Sequence, residues 1–272
     1  MRPIIVPEYI TKHLKDPEWF LQHAGDIKQK IDSLNAAEPD VSIVIPAYNE
    51  QENILRALSS IASTVSNYKI EVIVVDNNST DRTKELVLLS GARYLFEQKR
   101  GVKNARNRGL NAAKGRYIIN ADADTVYSPH WVNSLIDPLE SNSNIAVTHG
   151  KFAFIPENGY GRVGFYLYEM IGDVYKKAQG IMKDKAMYVY GCSSAYRKEQ
   201  GLLVDGYEHP PGANEDGYLG LKLRNKFGSM KRVSAGKSYA WTSGRNFVAE
   251  GTLLNRLFGK VKQITLSHNA TG

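Results

Sequence analysis

Between residues 41 and 120, four apolar β-rich runs alternate with segments of helical periodicity, and few folds accommodate that rhythm. The runs are Val41-Ser42-Ile43-Val44-Ile45, Glu71-Val72-Ile73-Val74-Val75, residues 92–96 and residues 117–120. Between the first two, Ile54, Leu58 and Ile61 recur at helical spacing within 52–62; further helices are expected over 82–90 and 103–113. Strands that are apolar on both faces need cover on both sides, and alternation with helices supplies it. The expected fold class is α/β, a doubly wound, mainly parallel sheet flanked by helices. Pro46, which has no N–H to donate, is expected to stop the first strand.

Outside this block the rhythm weakens. A helix is expected over 129–139, a strand over 145–154, a strand over 188–197 and a helix over 215–226, with an aromatic, glycine-punctuated stretch at 159–183. Upstream, Asp16 and Pro17 read as an N-cap and first helical residue; Phe20, Ala24, Ile27, Ile31 and Leu34 then place one amphipathic helix on the outside of the main domain. Downstream, Leu254, Leu257, Phe258, Val261 and Ile264 form a helical stripe beside Arg256, Lys260 and Lys262. The expected division is 1–39, an N-terminal helical extension; 40–245, the main domain; and 246–272, a basic amphipathic tail.

Charge is unevenly placed. Residues 217–272 carry ten Lys/Arg and one acid, Glu250, whereas the rest of the chain is close to neutral. Such asymmetry suits anionic partners: nucleic acid, anionic lipid or phosphorylated substrates. No apolar run approaches the roughly 18 residues of a membrane span, and no signal-peptide pattern opens the sequence. The single cysteine, Cys192, excludes an internal disulfide and fits a reducing compartment. The expected location is the cytoplasm, with peripheral contact to the inner face of the cell membrane through the basic tail.

The chemistry-bearing residues cluster where strands end, and ligands of open α/β sheets bind outside the carboxyl ends of strands. Asp122-Ala123-Asp124 follows the fourth strand. Two close carboxylates repel unless a cation or a shared proton intervenes, and hard divalent ions favour oxygen ligands together with phosphate. Pro46-Ala47-Tyr48-Asn49-Glu50 ends the first strand and offers an aromatic to stack a flat base. Asp76 ends the second strand and can accept from a base or a ribose; Asp76-Asn77-Asn78-Ser79 is equally the pattern of an Asx turn. Lys103 and Arg106 stand near a helix start, where cations can help hold phosphates, although a solvated basic helix would look the same. Glu215-Asp216 opens a helix, a placement the helix dipole favours in any case. Neither a G-x-G-x-x-G after the first strand nor a Walker A motif is present.

Taken together, Ile43-Val44-Ile45-Pro46-Ala47-Tyr48-Asn49-Glu50, Val74-Val75-Asp76-Asn77-Asn78-Ser79-Thr80-Asp81, Ala105-Arg106-Asn107-x-Gly109, Asp122-x-Asp124, Tyr190-Gly191-Cys192-Ser193-Ser194-Ala195-Tyr196-Arg197 and Asn214-Glu215-Asp216 resemble, in order and spacing, the GT-A glycosyltransferases of family 2. The resemblance covers residues 41–245. It implies a GT-A fold and an inverting transfer from a nucleotide-sugar, with UDP preferred over GDP. It implies that Pro46, Ala47, Tyr48, Glu50, Asp76, Asn78, Lys103, Arg106, Asp122, Ala123, Gly191 and Cys192 surround the nucleotide-sugar. Asp124, with Asp122, would hold Mn²⁺ or Mg²⁺, and Asp216, or else Glu215, would deprotonate the acceptor hydroxyl. The Gln-x-x-Arg-Trp motif of processive synthases is absent, and Ser243-Gly244-Arg245 is similar to the Ser-x-Arg of non-processive members, so Arg245 joins the donor-binding set. A third metal ligand is sought among His149, His209 and His268. The acceptor would be a glycan, a lipid-linked glycan or a small molecule, and no nucleic-acid partner is expected, because no recognition motif accompanies the basic charge. A catalytically silent nucleotide- or glycan-binding module and a nucleotidyltransferase are the alternatives; the latter would need a Gly-rich basic loop after the first strand.

Overall fold

The computed structural model describes residues 2–157, 159–179, 189, 191–233 and 239–245, with residues 175–179 as backbone. The basic tail 246–272, with His268, lies outside the described residues, as does Tyr190.

The four apolar runs become β1 (Val41–Ala47), β2 (Ile70–Asp76), β3 (Arg93–Phe96) and β4 (Tyr117–Asn120). They lie in parallel, in the order β3-β2-β1-β4, so the chain reverses its direction of travel across the sheet between β1 and β4. The sheet continues through β8 (Ser194–Arg197), β6 (Ile145–His149) and β9 (Ser229–Arg232). Of these, β8 alone runs antiparallel to its neighbours. Period-two alternation sorts the core onto two faces. Ile43, Ile45, Val72, Val74 and Ile119 face α3 (Ala24–Leu34), α4 (Ile54–Ile61) and α7 (Trp131–Ser141). Val44, Ile73, Val75 and Ile118 face α6 (Val102–Ala112) and α10 (Glu215–Phe227). Gly109 lets α6 approach β1 closely, since a Cβ there would overlap Val44 Cγ1.

Three strand expectations are corrected. β1 does not stop at Pro46 but runs through Ala47. The Val44 carbonyl accepts from Ala121 on the β4 side and the Ala47 carbonyl from Asn77 on the β2 side. Backbone groups alternate in this way, so Pro46 faces the side on which β4 pairing has already ended at Asn120, and its missing N–H costs no ladder bond. The single strand expected over 145–154 is two: β6, and β7 (Phe152–Phe154), which joins β5 (Thr125–Val126) and β10 (Ala240–Thr242) in a second, three-stranded sheet. The strand expected over 188–197 is ordered as β only from Ser194, where pairing with β4 and β6 begins.

The aromatic stretch forms an 18-residue helix, α8 (Arg162–Gln179). The upstream segment forms α1 (Glu8–Thr11), α2 (Pro17–Gln22) and α3, with a break at His23 in place of one continuous helix. These elements pack on the body: Phe20, Ile27 and Ile31 join the larger core cluster, and Ile10 joins Val126, Ala153 and Trp241. No described helix is long and apolar enough to cross a membrane.

Candidate active site

The carboxyl ends of β1, β2 and β4 open on one edge of the sheet. Two loops are laced together there. The Glu50 N–H donates to Thr83 Oγ1 (2.8 Å), the Asn49 N–H to Ser79 Oγ (2.9 Å) and the Thr80 N–H to Asn49 Oδ1 (2.9 Å). Asn49 and Asn78 hold left-handed φ values of 52° and 66°, which asparagine tolerates. Asp76 is buried; its Oδ1 accepts the Ser79 N–H (2.9 Å) and its Oδ2 the Tyr94 hydroxyl (2.9 Å). The Asx turn and the strand-end carboxylate are therefore the same residue. Tyr48 leaves 45% of its surface free at the rim, with the Arg100 guanidinium 5.2 Å from its ring centre. Asn77, not singled out from sequence, donates to the carbonyls of Glu97 and Lys99 and accepts the Gly101 N–H (2.7 Å), which fixes the start of α6.

Deeper in the cleft one cation stands among acids. Arg106 is almost fully buried; its Nη2 donates to Asp122 Oδ1 at 2.9 Å and its Nε lies 3.3 Å from Asp216 Oδ1. The second contact is an ion pair without a hydrogen bond, and Arg106 Nη1 and Asp216 Oδ1 have no hydrogen-bond partner. Burial alone would lower the Arg106 pKa, but Asp216 and then Asp122 outweigh it and raise the value. The acids move the other way. Burial pushes Asp216 up to about 7 against the pull of Arg106, with Glu215 and Asp122 adding to the rise. Burial likewise lifts Asp122 to about 6, with Asp124 contributing. Gly191 lies directly on this cluster: a Cβ there would overlap Asp216 Oδ2 and Arg106 Nη2. The Cys192 thiol is buried, and its pKa is driven well above the usual value by burial and the surrounding carboxylates, so it is a packed neutral thiol and no nucleophile. Tyr207, which no sequence signal marked, closes the floor. Its ring lies 5.9 Å from the Arg106 guanidinium, its hydroxyl donates to Asn120 Oδ1 (2.5 Å), and Tyr196 meets it at 2.8 Å.

The second sheet adds the third wall. β10 pairs with β5 and carries Ser243 and Arg245 to Asp124: the Ser243 N–H donates to the Asp124 carbonyl (3.1 Å), and Arg245 Nη2 lies 3.4 Å from Asp124 Oδ2. Arg245 also grips Glu50, its Nη1 and Nη2 donating to the two carboxylate oxygens. Glu157, again unmarked in sequence, accepts from the Gly244 N–H and the Ser243 hydroxyl and fixes this turn. Thus Glu50, Asp124 and Arg245, from distant segments, meet. Lys103 does not join them; it pairs with Glu208 (2.8 Å). His209 is held at Pro210, and His149 is buried with its pKa lowered to about 4 by burial and Arg232. Neither histidine shows a contact with the aspartates.

The donor set suits a hard divalent ion. Asp122 and Asp124 offer carboxylate oxygens whose mutual repulsion helps raise the Asp122 pKa, and a cation would relieve it. Among the described residues no group of three or more His, Cys, Asp or Glu side chains is placed to hold a metal ion together. Two carboxylates leave other coordination positions to phosphate and water, as Mg²⁺ usually requires.

Comparison with known proteins agrees with this geometry. The family model described as glycosyl transferase family 2 matches residues 42–200. The dolichol-phosphate mannosyltransferase of Pyrococcus furiosus is 32% identical over 112 residues, 39% of this chain and 32% of that protein. The chain spans less than half the length of the first curated relatives it matches. Among solved structures, S. aureus TarS in complex with UDP-GlcNAc superposes with a TM-score of 0.58 at 19% identity, covering 76% of this chain and 59% of that one. Glucosyl-3-phosphoglycerate synthase from Mycobacterium tuberculosis, in complex with Mn²⁺, UDP-glucose and phosphoglyceric acid, superposes at 0.56 and 19% identity, covering 87% and 81%. These likenesses show the fold, which is GT-A. With the family model matched over more than half its length, the chain belongs to glycosyl transferase family 2.

Proposed function

We propose that this chain transfers a single sugar from a nucleotide-diphosphate sugar, UDP-linked in preference to GDP-linked, to an acceptor hydroxyl with inversion at the anomeric carbon. The observation that carries this reading is Arg106, one buried cation between Asp122 and Asp216, with the Asp216 pKa raised to about 7. A carboxylate tuned to neutral pH, beside a donor-side pair of acids, is what a base-catalysed displacement needs. The acceptor oxygen attacks the anomeric carbon, its proton passes to the Asp216 carboxylate, and the bond to the diphosphate oxygen breaks on the opposite face. Tyr48 stacks the base at the rim, Asp76 and its turn border base and ribose, and Arg245 holds the diphosphate end of the donor in place by charge. Mn²⁺ or Mg²⁺, when bound by Asp124 with Asp122, supplies Lewis-acid stabilisation of the leaving diphosphate.

Residues 40–245 form the catalytic domain on this reading, and 246–272 are a basic module. A glycan, a lipid-linked glycan or a small hydroxyl compound fills the acceptor side, and the enzyme works in the cytoplasm. The test is donor turnover: release of UDP or GDP from a panel of nucleotide-sugars with Mn²⁺, with NMR of the product anomer. A silent binding module would bind donor without release, and a retained anomeric configuration would overturn the inverting mechanism.

A further inference from the structure

α8 is amphipathic in the reverse sense. Between 162 and 174 its charged residues turn inward: Arg162 forms a buried double hydrogen bond with Glu169, and Asp173 takes Arg2 (2.8 Å) and Lys151 (3.3 Å). Between 162 and 174, every position that is exposed carries an apolar side chain: Val163, Leu167, Met170 and Val174, at 63%, 54%, 38% and 57% exposure. Spacings of four, three and four put them in one row along the helix. The row is extended by the N-terminal arm. Arg2 is tied to Asp173 and Arg162 donates to the Pro3 carbonyl (2.9 Å), so Ile4 and Ile5 follow beside the row, Ile5 at 81% exposure. An apolar ridge of this length on a soluble surface marks an interaction site.

We propose that this ridge, formed by α8 with Ile4 and Ile5, is the surface by which the protein docks on an anionic lipid bilayer. Three observations select a bilayer. No exposed charge interrupts the ridge from 162 to 174, so it offers a continuous apolar face of the kind that inserts into the headgroup boundary. Lysines follow it directly in α8, at 176 and 177. The described chain ends at Arg245, one residue past Gly244, where a Cβ would stand 2.6 Å from Phe165 of α8. The sequence that continues from that point, residues 246–272, carries Arg256, Lys260 and Lys262 against one acid, Glu250. Apolar insertion and basic attraction are the two signals that stable peripheral binding needs. A second copy in the same place would bring like charges together. Because Ser243 and Arg245 line the cleft next to α8, docking sets that cleft at the lipid surface, within reach of a hydroxyl or phosphate on a lipid-linked acceptor. The acceptor class rests on the proposed transferase reading; the docking surface does not.

The test is flotation of the full chain with vesicles of phosphatidylcholine alone and with 30 mol% phosphatidylglycerol, for wild type, the double variant Leu167→Glu/Met170→Glu, Ile5→Glu, and Leu88→Glu as a control at an equally exposed apolar site on another face. Wild type and the control are expected to float with anionic vesicles and at least tenfold less with neutral ones. The double variant is expected to lose tenfold or more of its binding, and Ile5→Glu severalfold, with unchanged melting and unchanged UDP release from donor. Wild-type protein that fails to float, or a double variant that floats as well as wild type, overturns the proposal. A wild-type dimer that the double variant converts to monomer would assign the ridge to a second copy and overturn it equally. Donor turnover in solution is read separately, so failure of docking and failure of the transferase reading remain distinct.

Discussion

Replacing Asp216 by asparagine removes the charge of the proposed base and nearly nothing else. In the folded chain the Asp216 carboxyl titrates near 7, against about 3.9 for an unfolded aspartate. Between pH 4 and 7 the folded chain thus keeps a proton that the unfolded chain has released, and stability falls as pH rises through that window. At about 1.36 kcal/mol per unit, ionising this site costs the fold up to roughly 4 kcal/mol above pH 7. The attraction to Arg106 is already inside that figure, since it acts on the same pKa. Asparagine carries no proton to lose, so the Asp216→Asn variant should match wild type near pH 4 and gain on it by a few kcal/mol at pH 8, read by urea unfolding of metal-free protein. Activity should move the other way. At limiting Mn²⁺, wild-type kcat/KM should rise about tenfold per pH unit below 7 and level off above; the variant should lose about 10²–10⁴-fold and the pH dependence with it. A variant that turns over like wild type, or a stability difference that does not change with pH, refutes the argument.

Other substitutions probe the remaining walls of the cleft. Asp124→Ala should abolish the rise in melting temperature produced by Mn²⁺ with donor, and should lower turnover by about a hundredfold or more, since metal stabilisation of the leaving group amounts to several kcal/mol. Gly191→Ala drives a methyl into Asp216 and Arg106; an overpacking cost of about 1–3 kcal/mol in denaturant unfolding and a collapse of turnover are expected together. Arg245→Ala loses the grip on Glu50 and the approach to Asp124 but sits partly in solvent, so turnover should fall while melting changes little; wild-type kinetics would count against its place at the donor. Tyr48→Ala should raise the donor KM by roughly ten- to a hundredfold, the value of one base–aromatic stack, with kcat nearly unchanged.

How much of this was visible in the sequence differs between the two halves of the molecule. β1 to β4 and the helices between them could be read almost to the residue, because β1, β2 and β4 are covered on both faces and local apolar periodicity there coincides with burial. Beyond Asp124 that coincidence fails. β5, β7 and β10 are two or three residues long and exist only through pairing among segments more than 25 residues apart. Between 162 and 174, α8 hides its charges and exposes Val163, Leu167, Met170 and Val174, so its pattern contradicts its packing. The site divides in the same way. Asp76, Asp122 and Asp124 announce themselves by position at strand ends. Tyr207 and Glu157 are ordinary residues made important by what folds against them, and Lys103, marked by its charge, is taken by Glu208 from a loop 105 positions away.

The antiparallel strand β8 explains why Asp122, Glu215 and Asp216 share a single cation, Arg106. β4 delivers Asp122 at its carboxyl end; β8 pairs with it in the opposite direction, Asn120 against Ser194, so Gly191 and Cys192 arrive at the same edge just before β8 begins. α10 then starts with Glu215 and Asp216 against them, capped by the Asn214 side chain accepting the Gly217 N–H at 2.6 Å. Donor-side and acceptor-side carboxylates are forced to within reach of one guanidinium, and one positive charge cannot satisfy Asp122, Glu215 and Asp216 at once. Burial raises the Asp122 and Asp216 pKa values, Arg106 offsets only part of that rise, and Asp216 Oδ1 is left with a hydrogen bond it does not make. A cation beside Asp122 would free Arg106 to favour Asp216, lowering its pKa. Mn²⁺ should therefore shift the ascending limb of the pH–rate profile toward acid, and a limb that stays in place as Mn²⁺ is titrated would show that the two halves of the cleft are not coupled through Arg106.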